Sequence, residues 1–432
     1  MGDHPPHSGY RGKLGQLFVQ KYPTRTIRNS HHPSASTKFD AITSVVTSAI
    51  CESRQYCVSG ASSTEFLMTI YVDHTHLGRH VTGLERITLE LFSPAALAPL
   101  SVVPVTASNT AQMIATQTLE LPLRLANSAS ILLCPGFPPT PLLRPFAARV
   151  LPYIHDIFLL SRQADLNLRA RAYMVAPFKL ALRRYPRFLV NSLDTKRKLA
   201  NHCRPDAEIT PYRPAVRNVF DLQSGDRSVR SDRPSTLRLV ALGTVEPRKN
   251  FLAAARILAA LHDRGFAEAT LEIIGRQGWS EDWAMLQNQR GVILHGYQSD
   301  ENVNRLLQNA DILICTSHEE GLGLPLLEAQ YAGLPVIAPD AAIFREVLGD
   351  SGIFIDASEP ALTADRIVDS VSRPGWRTRY VTVGADNLQR WNDLAASDRT
   401  VVIDLIDQLA RKCRSTTSAP AHPDRRDSQV TP

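Results

Sequence analysis

The sequence predicts an α/β protein of two domains, each built on a parallel, doubly wound sheet. In the second half of the chain, short apolar runs of strand length alternate with segments of helical periodicity, which is the pattern of such sheets. One of these runs, Asp311 to Thr316, leads through a glycine-rich turn directly into a helical segment. The length of 432 residues and the apolar share of 44% are sufficient for two hydrophobic cores.

Composition limits the classes of function that the chain can have. No apolar run approaches the roughly 20 residues that a transmembrane helix needs. The formal net charge of +6 permits binding of phosphates or anionic lipid, but the Lys and Arg residues are dispersed and form no nucleic-acid recognition motif. Six cysteines are scattered without metal-ligand spacing, and Cys134 and Cys315 lie in apolar runs. We therefore predict a cytoplasmic protein with reduced, buried thiols that binds no nucleic acid.

The chain begins with a polar extension that precedes a clear first strand. Residues 1–67 are rich in Ser, Thr, His, Arg and Pro, which predicts mostly disordered chain. A signal peptide fits poorly because the apolar density begins far from the N-terminus and is interrupted by Ser and Thr. The run from Met68 to Asp73 predicts a strand, so Met68 is also a candidate translation start.

A loop and a capped helix follow the first strand. Thr82 and Glu85 have the spacing of a capping box, and apolar residues continue at helical spacing to Leu91. Such a helix N-terminus favours an anion, although most capped helices bind nothing.

Three further strands are predicted in the first half, and the last of them ends in a polar pair. They cover residues 100–105, 131–133 and 150–156. Catalytic groups in open parallel sheets collect at the carboxyl ends of strands, where His155 and Asp156 stand. The alternative is structural: Asp156 caps the next helix, and His155 is a hydrogen-bonded, half-buried side chain.

A basic stretch and a linker complete the first domain. The mainly helical segment 161–187 presents either a solvated face or a surface for anionic lipid. A strand at 188–192 and a basic helix at 193–203 follow. Residues 222–235 are polar, so we place the interdomain linker there and the first domain at 68–221. The cations of the basic stretch are Arg162, Arg169, Arg171, Lys179, Arg183, Arg184 and Arg187.

The second domain, residues 236–386, shows the alternation of strands and helices most clearly. A last helix at 387–411 precedes a polar tail at 412–432, for which we predict disorder. The predicted strands cover 237–243, 270–275, 292–296, 311–316, 335–339 and 352–356. The predicted helices cover 251–262, 301–310, 325–331 and 344–348.

The turn after the fourth of these strands holds paired carboxylates. Glu320 lies in the turn and Glu328 near the start of the helix, with seven residues between them. Gly321 and Gly323 permit close approach of the backbone to a ligand, and the first N–H groups of the helix favour an anion. Each feature alone is more often structural, since a Glu in a first helical turn complements the macrodipole. Glu319 competes with Glu320 but lacks the spacing to Glu328.

The loop after the first strand of the second domain supplies cations. It contains Gly243, then Arg248 and Lys249 directly before a helix. Cations at the carboxyl end of a parallel strand lie where such sheets bind ligands, and they would stabilise the charge on a phosphate leaving group. An Arg-Lys pair taken alone is more often solvated. Because no Asp-x-Asp pair stands at a strand end, we predict that no metal is bound.

The run from Glu320 to Ala329, Glu-Gly-Leu-Gly-Leu-Pro-Leu-Leu-Glu-Ala, resembles the signature of retaining glycosyltransferases of family 4, which have the GT-B architecture. The resemblance extends over residues 69–409 and is strongest from 243 to 356. It implies two Rossmann-like doubly wound domains that face a central cleft, with the last helix crossing back to the first domain.

The resemblance also implies roles for individual residues. Glu320 and His155 would contact the transferred sugar, and Glu328 would hold the ribose. Arg248 and Lys249 would bind the diphosphate. Trp279 and Tyr297 either pack in the core or line the nucleotide pocket. The remaining candidate donor contacts are Gly321, Leu322, Gly323, Leu324, Gly243 and Gly83.

The implied reaction transfers a hexose from a nucleotide-sugar with retention of configuration. Residues 244–250, Thr-Val-Glu-Pro-Arg-Lys-Asn, resemble the phosphate loop of mannosyltransferases in the family. We therefore expect GDP-mannose as donor, a glycan or lipid-linked acceptor in surface polysaccharide synthesis, and no cofactor. Peripheral contact with an anionic membrane is one possible localisation. The alternatives are a retaining glucosyl- or rhamnosyltransferase with another nucleotide, or a catalytically silent nucleotide-sugar-binding protein.

Overall fold

A computed structural model of the chain describes residues 68–78, 83–161, 171–225 and 236–417. Several predictions of the sequence lie outside the described residues. They are the extension 1–67, the cap at Thr82, Arg162 and Arg169, the linker from 226 to 235, and the tail from 418.

Six parallel strands form the sheet of the first domain, in the order β2-β1-β3-β4-β5-β6. The chain therefore changes direction across the sheet between β1 and β3, which makes the ends of these strands a switch point. Central strands such as β3 are buried on both faces, and for this reason they appear in the sequence as continuous apolar runs. The strands are β1 Ile70–Asp73, β2 Val102–Val105, β3 Ile131–Cys134, β4 Val150–Ile154, β5 Arg187–Val190 and β6 Glu208–Pro211.

The second sheet is also parallel and has the order β12-β11-β10-β7-β8-β9. Its switch point lies between β7 and β10, because the chain passes outward from β7 to β9 and then returns to the other side of β7. The strands are β7 Arg238–Leu242, β8 Thr270–Ile274, β9 Val292–Gly296, β10 Ile312–Ile314, β11 Val336–Pro339 and β12 Gly352–Ile355.

Helices cover these sheets and bury one face against them. Helix α7, for example, packs Phe251, Leu258 and Leu261 on Leu239 and Leu271 of the second sheet. The helices of the first domain are α1 Gly83–Phe92, α2 Thr110–Ala115, α3 Leu121–Ala126, α4 Phe158–Ser161, α5 Ala176–Arg184 and α6 Leu193–Ala200. The later helices are α7 Phe251–Asp263, α8 Asp282–Gln287, α9 Asp300–Asn309, α10 Leu324–Gln330, α11 Ala342–Leu348, α12 Pro360–Ser372 and α13 Trp376–Thr417.

The predicted fold class is confirmed, and every predicted strand of the second domain lies within two residues of an observed one. Sequence reasoning missed several elements whose patterns are weak or short. They are β6, α2, α3, α8, α12, the π-helical turn Thr116–Glu120 and the 3-10 segment Pro141–Arg149. The π-helical turn Arg171–Val175 lies within the predicted helical segment 161–187.

The last helix is longer than predicted at both ends. It runs from Trp376 to Thr417, so the boundary at 387 is wrong and residues 412–417 belong to the helix and not to a tail. The physical reason is burial, because Trp376 and Trp391 are fully enclosed and Val402 and Ile406 continue the buried face.

The predicted linker begins too early. Leu222, its first residue, is only 3% exposed and belongs to the core cluster that contains Val216. Its N–H donates to Asn218 Oδ1 at 2.8 Å. The chain therefore leaves the packed first domain after Leu222.

Helix α13 joins the two domains. Near its start, Arg377 pairs with Asp311 at 2.7 Å in the second domain. Further along, Trp391 Nε1 donates to Pro214 O at 2.9 Å, and Arg399 Nε donates to Ala96 O at 2.9 Å, both in the first domain. Helix α13 therefore contacts both domains.

Two further predictions concern thiols and membranes. Cys134 and Cys315 are buried, and no disulfide involves the four cysteines in the described part of the chain. Within the described ranges, no helix has both the length and the apolar character needed to span a bilayer. On the basic segment, Lys179, Arg183 and Arg184 are exposed, which fits a solvated face and a lipid surface equally well.

Candidate functional site

The candidate site lies at the switch point of the second sheet, between the ends of β7 and β10. The loop after β7 contains Arg248 and Lys249, and the loop after β10 contains Glu320. A backbone hydrogen bond from His318 N to Arg248 O, 2.9 Å long, joins the two loops. The sheet order therefore brings together the two motifs that the sequence places about 70 residues apart.

Glu320 is held by two cations and a hydroxyl. Lys249 Nζ lies 2.7 Å from Oε1, and Arg248 Nη1 lies 3.0 Å from Oε2. Ser317 Oγ donates to Oε1 at 2.6 Å. Burial alone would raise the pKa of this carboxyl, but Lys249 and Arg248 outweigh it, and the pKa lies below its usual range. Glu320 is therefore an ionised, fixed side chain.

Gly243 makes room for Lys249 at the end of β7. Its φ is +134°, a conformation that L side chains rarely adopt. A Cβ at this position would lie 2.9 Å from Lys249 Cε. A glycine is thus required for the lysine side chain to pass over the strand end to Glu320.

The two adjacent carboxylates, Glu319 and Glu320, face different partners. Ser161 Oγ donates to Glu319 Oε2 at 3.1 Å, and Lys198 Nζ lies 3.4 Å from Glu319 Oε1. Both partners belong to the first domain. Glu319 therefore bridges the domains, whereas Glu320 faces the cations of the second domain.

Arg248 also reaches across the cleft. Its guanidinium pairs with Glu246 at 2.7 Å and lies 4.9 Å from the centre of the Phe158 ring in the first domain. It donates a further hydrogen bond to Glu319 O at 3.0 Å. The cation is consequently fixed in orientation, which a diphosphate site requires.

The glycine-rich loop touches the first domain through its backbone. Asn191 Nδ2 donates to His155 O at 2.6 Å and to Gly321 O at 3.0 Å. A Cβ on Gly321 would lie only 2.9 Å from His155 O. Asn191 is 1% exposed, so a buried amide fixes the ends of β4 and β5 against this loop.

His155 is neutral in this setting. Its Nε2 lies 2.7 Å from Pro135 O, and since a carbonyl only accepts, Nε2 carries the hydrogen. Burial lowers the pKa of His155 to about 4, partly opposed by this hydrogen bond. Nδ1 is therefore an acceptor at neutral pH.

Asp156 plays the capping part that the sequence left open as an alternative. Its Oδ1 accepts from Phe158 N at 2.9 Å, at the start of α4. Burial raises the pKa of Asp156 to about 6, with Arg248 opposing the shift. The cap and the nearby Arg248 place Asp156 at the rim of the site.

Glu328 is buried in α10 and pairs with a residue of the first domain. It is 2% exposed, and its Oε1 lies 2.5 Å from Arg86 Nη1 in α1. Burial raises the pKa of Glu328, and Arg86 opposes that shift. Both carboxylates of the motif are thus paired: Glu320 with two cations of the second domain, and Glu328 with one cation across the cleft.

The remaining candidates occupy less specific positions. Leu322 and Leu324 are buried and anchor the loop, and Gly323 is the N-cap of α10. Helix α10 begins at Leu324, so Pro325 stands at its second position and not at its first as predicted. Gly83 is exposed at the first position of α1, with open space around it.

Aromatic side chains flank the cleft on the β8 and β9 side. Tyr297 is 70% exposed and Trp279 is 65% exposed, so neither is a core residue. Arg276 lies 4.6 Å above the Tyr297 ring. Trp279 and Tyr297 were expected either to pack in the core or to line a pocket. Their exposure excludes packing in the core.

Sequence reasoning missed Arg86, Asn191 and Ser317. Ser317 stands within the predicted motif but has no distinguishing spacing of its own. Arg86 and Asn191 act across the domain interface, on partners more than a hundred residues away. The only signal for Arg86 was its place one turn after Gly83, which does not separate it from other surface arginines.

Sequence similarity to known proteins is strongest in the second domain. Residues 236–373 match the family model described as glycosyl transferases group 1. Among curated proteins, O-antigen chain mannosyltransferase B of Escherichia coli is 31% identical over 141 residues, which cover 32% of this chain and 37% of that protein. Phosphatidyl-myo-inositol mannosyltransferase of Mycobacterium leprae is 30% identical over 155 residues, which cover 34% and 40%. The chain thus spans well under half the length of these curated relatives.

Solved structures resemble the chain over both domains. WaaG, a glycosyltransferase involved in lipopolysaccharide biosynthesis, aligns with a TM-score of 0.55 and 14% identity over 78% of this chain and 99% of WaaG. Anabaena HepE in complex with UDP and glucose aligns with a TM-score of 0.56 and 15% identity over 79% and 100%. The two parallel-sheet, Rossmann-like domains therefore have the GT-B fold.

Proposed function

We propose that the protein is a retaining, metal-independent glycosyltransferase that transfers a hexose from a nucleotide-sugar to a glycan or lipid-linked acceptor. The observation on which this proposal rests is the convergence of Arg248 and Lys249 on Glu320 at the switch point of the second sheet. Open α/β sheets bind ligands at this point, and the match of residues 236–373 to a glycosyltransferase model supports the assignment.

In the proposed reaction, the diphosphate of the donor lies against Arg248 and Lys249. The bond between the sugar carbon C1 and the phosphate oxygen breaks, and its electron pair goes to the phosphate. The acceptor oxygen bonds to C1 on the same face, and the proton of the acceptor hydroxyl moves to the leaving phosphate. The two cations stabilise the charge that develops on the phosphate, a task often given to a metal ion.

Glu320 orients the sugar in this proposal, and its negative charge favours the oxocarbenium character of the transition state. When a diphosphate binds, Arg248 and Lys249 are shared between it and Glu320. His155 is neutral, so its Nδ1 accepts a hydrogen bond from a sugar hydroxyl and does not act as a general acid at neutral pH.

The donor is proposed to be GDP-mannose. The mannosyltransferase relatives at 30–31% identity in the second domain support a mannose donor, as does the phosphate loop at 244–250. Surface polysaccharide or glycolipid synthesis is the proposed context, because the two curated relatives are named an O-antigen chain mannosyltransferase and a phosphatidyl-myo-inositol mannosyltransferase.

Other functions remain as alternatives with specific consequences. A retaining glucosyl- or rhamnosyltransferase would use the same cations but another nucleotide-sugar. A silent nucleotide-sugar-binding protein would bind the donor without turnover. The intact set of Glu320, Glu328, Arg248 and Lys249 favours an enzyme over the silent form.

The test is turnover of the donor in the presence of EDTA. Purified protein is incubated with GDP-mannose, UDP-glucose or dTDP-rhamnose, and release of the nucleoside diphosphate is followed by ion-pair chromatography. Without an added acceptor, water takes the hexose, so we expect slow release of GDP from GDP-mannose above the rate without protein. When an acceptor is found, we expect faster release and an α-configured product by NMR. Tight binding without release of nucleotide from any donor would favour the silent protein, and a requirement for added metal would contradict metal independence.

A further inference from the structure

The ion pair between Arg86 and Glu328 joins the two domains at the candidate donor site. Arg86 lies on α1 of the first domain and Glu328 on α10 of the second, and the two side chains meet at 2.5 Å. Glu328 is 2% exposed, whereas the Arg86 side chain keeps 29% of its surface exposed. A buried carboxylate of one domain thus takes its cation from the other domain.

Other charges around Glu328 are mostly negative. Glu90 follows Arg86 by one turn on α1, and its side chain is 9% exposed. Asp300, at the start of α9, acts on Glu328 from the second domain. Burial raises the pKa of Glu90, and its partners Arg86 and Arg217 oppose this shift. Arg217 lies 3.6 Å from Glu90 and is 73% exposed. Among the described residues, Arg86 is therefore the cation that balances Glu328.

We propose that Arg86 is a positioning residue for the donor ribose: it orients Glu328 and balances its charge, so that ribose binding depends on contact between the domains. This inference rests on the proposed function, in which Glu328 accepts hydrogen bonds from the ribose hydroxyls. It adds a residue of the first domain to a site whose other cations come from the second.

The physical argument concerns the charge of Glu328. A carboxylate accepts stronger hydrogen bonds from two hydroxyls than a neutral carboxyl does. Without Arg86, a carboxylate that is buried beside Glu90 and Asp300 becomes protonated more readily. Glu328 then loses acceptor strength, and the loss falls on the ribose and not on the diphosphate.

A purely structural role for this ion pair would have different consequences for binding. It would change the stability of the folded protein but would not discriminate between nucleotides with and without ribose hydroxyls. The comparison of GDP with 2′,3′-dideoxy-GDP therefore separates the two roles, because the diphosphate and base are the same in both.

The experiment is isothermal titration calorimetry of the full chain with GDP and with 2′,3′-dideoxy-GDP. Wild-type protein should bind GDP about tenfold more tightly than the dideoxy analogue. Arg86→Gln should lose most of this ratio while its affinity for the dideoxy analogue is unchanged, which also shows that the variant is folded. Arg86→Lys should restore part of the ratio.

Three further variants complete the design. Glu328→Gln should lose the ratio as Arg86→Gln does, and the double variant should lose no more than either alone, because both changes act on one contact. Arg217→Gln is the matched control and should keep the wild-type ratio. In Arg86→Gln the ratio should recover as pH rises, because Glu328 then ionises without its partner.

The outcomes separate the inference from the proposed function. A wild-type ratio in Arg86→Gln at every pH, with GDP still bound, would overturn the role of Arg86 and leave the donor site intact. If wild-type protein binds neither GDP nor, in a parallel titration, UDP, the proposed nucleotide-sugar site is contradicted.

Discussion

At the scale of single residues, the site is a set of charges that are buried and paired. Glu320 is ionised because Lys249 and Arg248 outweigh the cost of its burial. His155 is neutral because burial disfavours its cation and no carboxylate compensates. Glu320 and His155 therefore each have one protonation state near neutral pH, which suits a reaction that moves charge onto a phosphate.

Removing one member of the charged set should abolish most turnover. Lys249→Ala and Glu320→Gln should each lower the rate of donor turnover on the order of a hundredfold or more, since a charged contact in the transition state is lost. The rate is measured by release of nucleoside diphosphate, and circular dichroism checks the fold. Glu319→Gln is the matched control, because Glu319 faces Ser161 and Lys198, and it should have a much smaller effect. Near-wild-type rates in Lys249→Ala would remove that residue from the site.

The raised pKa of Asp156 predicts a pH-dependent stability. The folded-state pKa of about 6 exceeds the ordinary value of 3.8, so between these values the folded state binds more protons and its stability falls as pH rises. Asp156→Asn removes this loss and keeps a side-chain oxygen for the cap. The variant should gain stability over wild type from pH 4 to pH 6, by up to about 3 kcal/mol, and the gain should be constant above.

Urea unfolding of both proteins across this pH range measures the difference. His155, whose lowered pKa has the opposite effect on stability, is present in both proteins and cancels in the comparison. A difference that does not change between pH 4 and pH 7 would show that Asp156 has an ordinary pKa.

At the scale of elements, two strand-to-helix turns and one buried amide form the site. The loops after β7 and β10 meet because the sheet order makes β7 and β10 neighbours. Asn191 then ties the glycine-rich loop to the end of β4. The close approach of Gly321 to His155 O makes this loop sensitive to any added side chain.

Gly321→Ala should impair activity more than stability. The new Cβ would lie 2.9 Å from His155 O, so the loop or the domain contact must move. We expect kcat/KM for the donor to fall about tenfold or more, because small displacements of reacting groups are costly, with little change in the melting temperature. Gly225→Ala, where nothing lies within 4 Å of the added Cβ, is the control. Equal activity of the two variants would contradict the close approach.

Elements could be predicted from the sequence where the pattern is local. Strands such as β3 and β10 are apolar runs, and the motifs around Lys249 and Glu320 are contiguous in the chain. The short edge strand β6 begins with an exposed Glu208 and has no such pattern. The start of α13 was missed because only the three-dimensional structure shows that Trp376 is buried. Contacts such as Arg86 with Glu328 depend on how the two domains pack, which periodicity does not report.

At the scale of the whole molecule, buried charges fix the packing of the domains behind the cleft. Arg213, 4% exposed, pairs with Asp398 of α13 at 2.6 Å and with Glu346 of α11 at 3.1 Å. Glu346 also accepts hydrogen bonds from the N–H groups of Leu193 and Asp194 at the start of α6. The first domain is thereby tied to two helices that come later in the chain.

Arg213→Met should destabilise the folded protein strongly. It leaves Asp398 and Glu346 without their buried cation, and breaking a buried pair from one side costs about 3–5 kcal/mol. Urea unfolding followed by circular dichroism measures this change. Arg373→Met, which breaks the exposed pair with Asp369, is the control and should change stability little. Equal stabilities of the two variants would show that the Arg213 cluster does not hold the domains together.

The most direct test of the central claim is a thermal-shift measurement with sugar nucleotides in the presence of EDTA. A ligand that binds only the folded state raises the free energy of unfolding, by about 2.7 kcal/mol at a hundred times its dissociation constant. The melting temperature rises as a result. The account predicts that GDP-mannose raises the melting temperature of wild-type protein and does not raise that of Lys249→Ala. If no sugar nucleotide stabilises the wild type, or if Lys249→Ala is stabilised equally, the switch point between the ends of β7 and β10 is not a donor site.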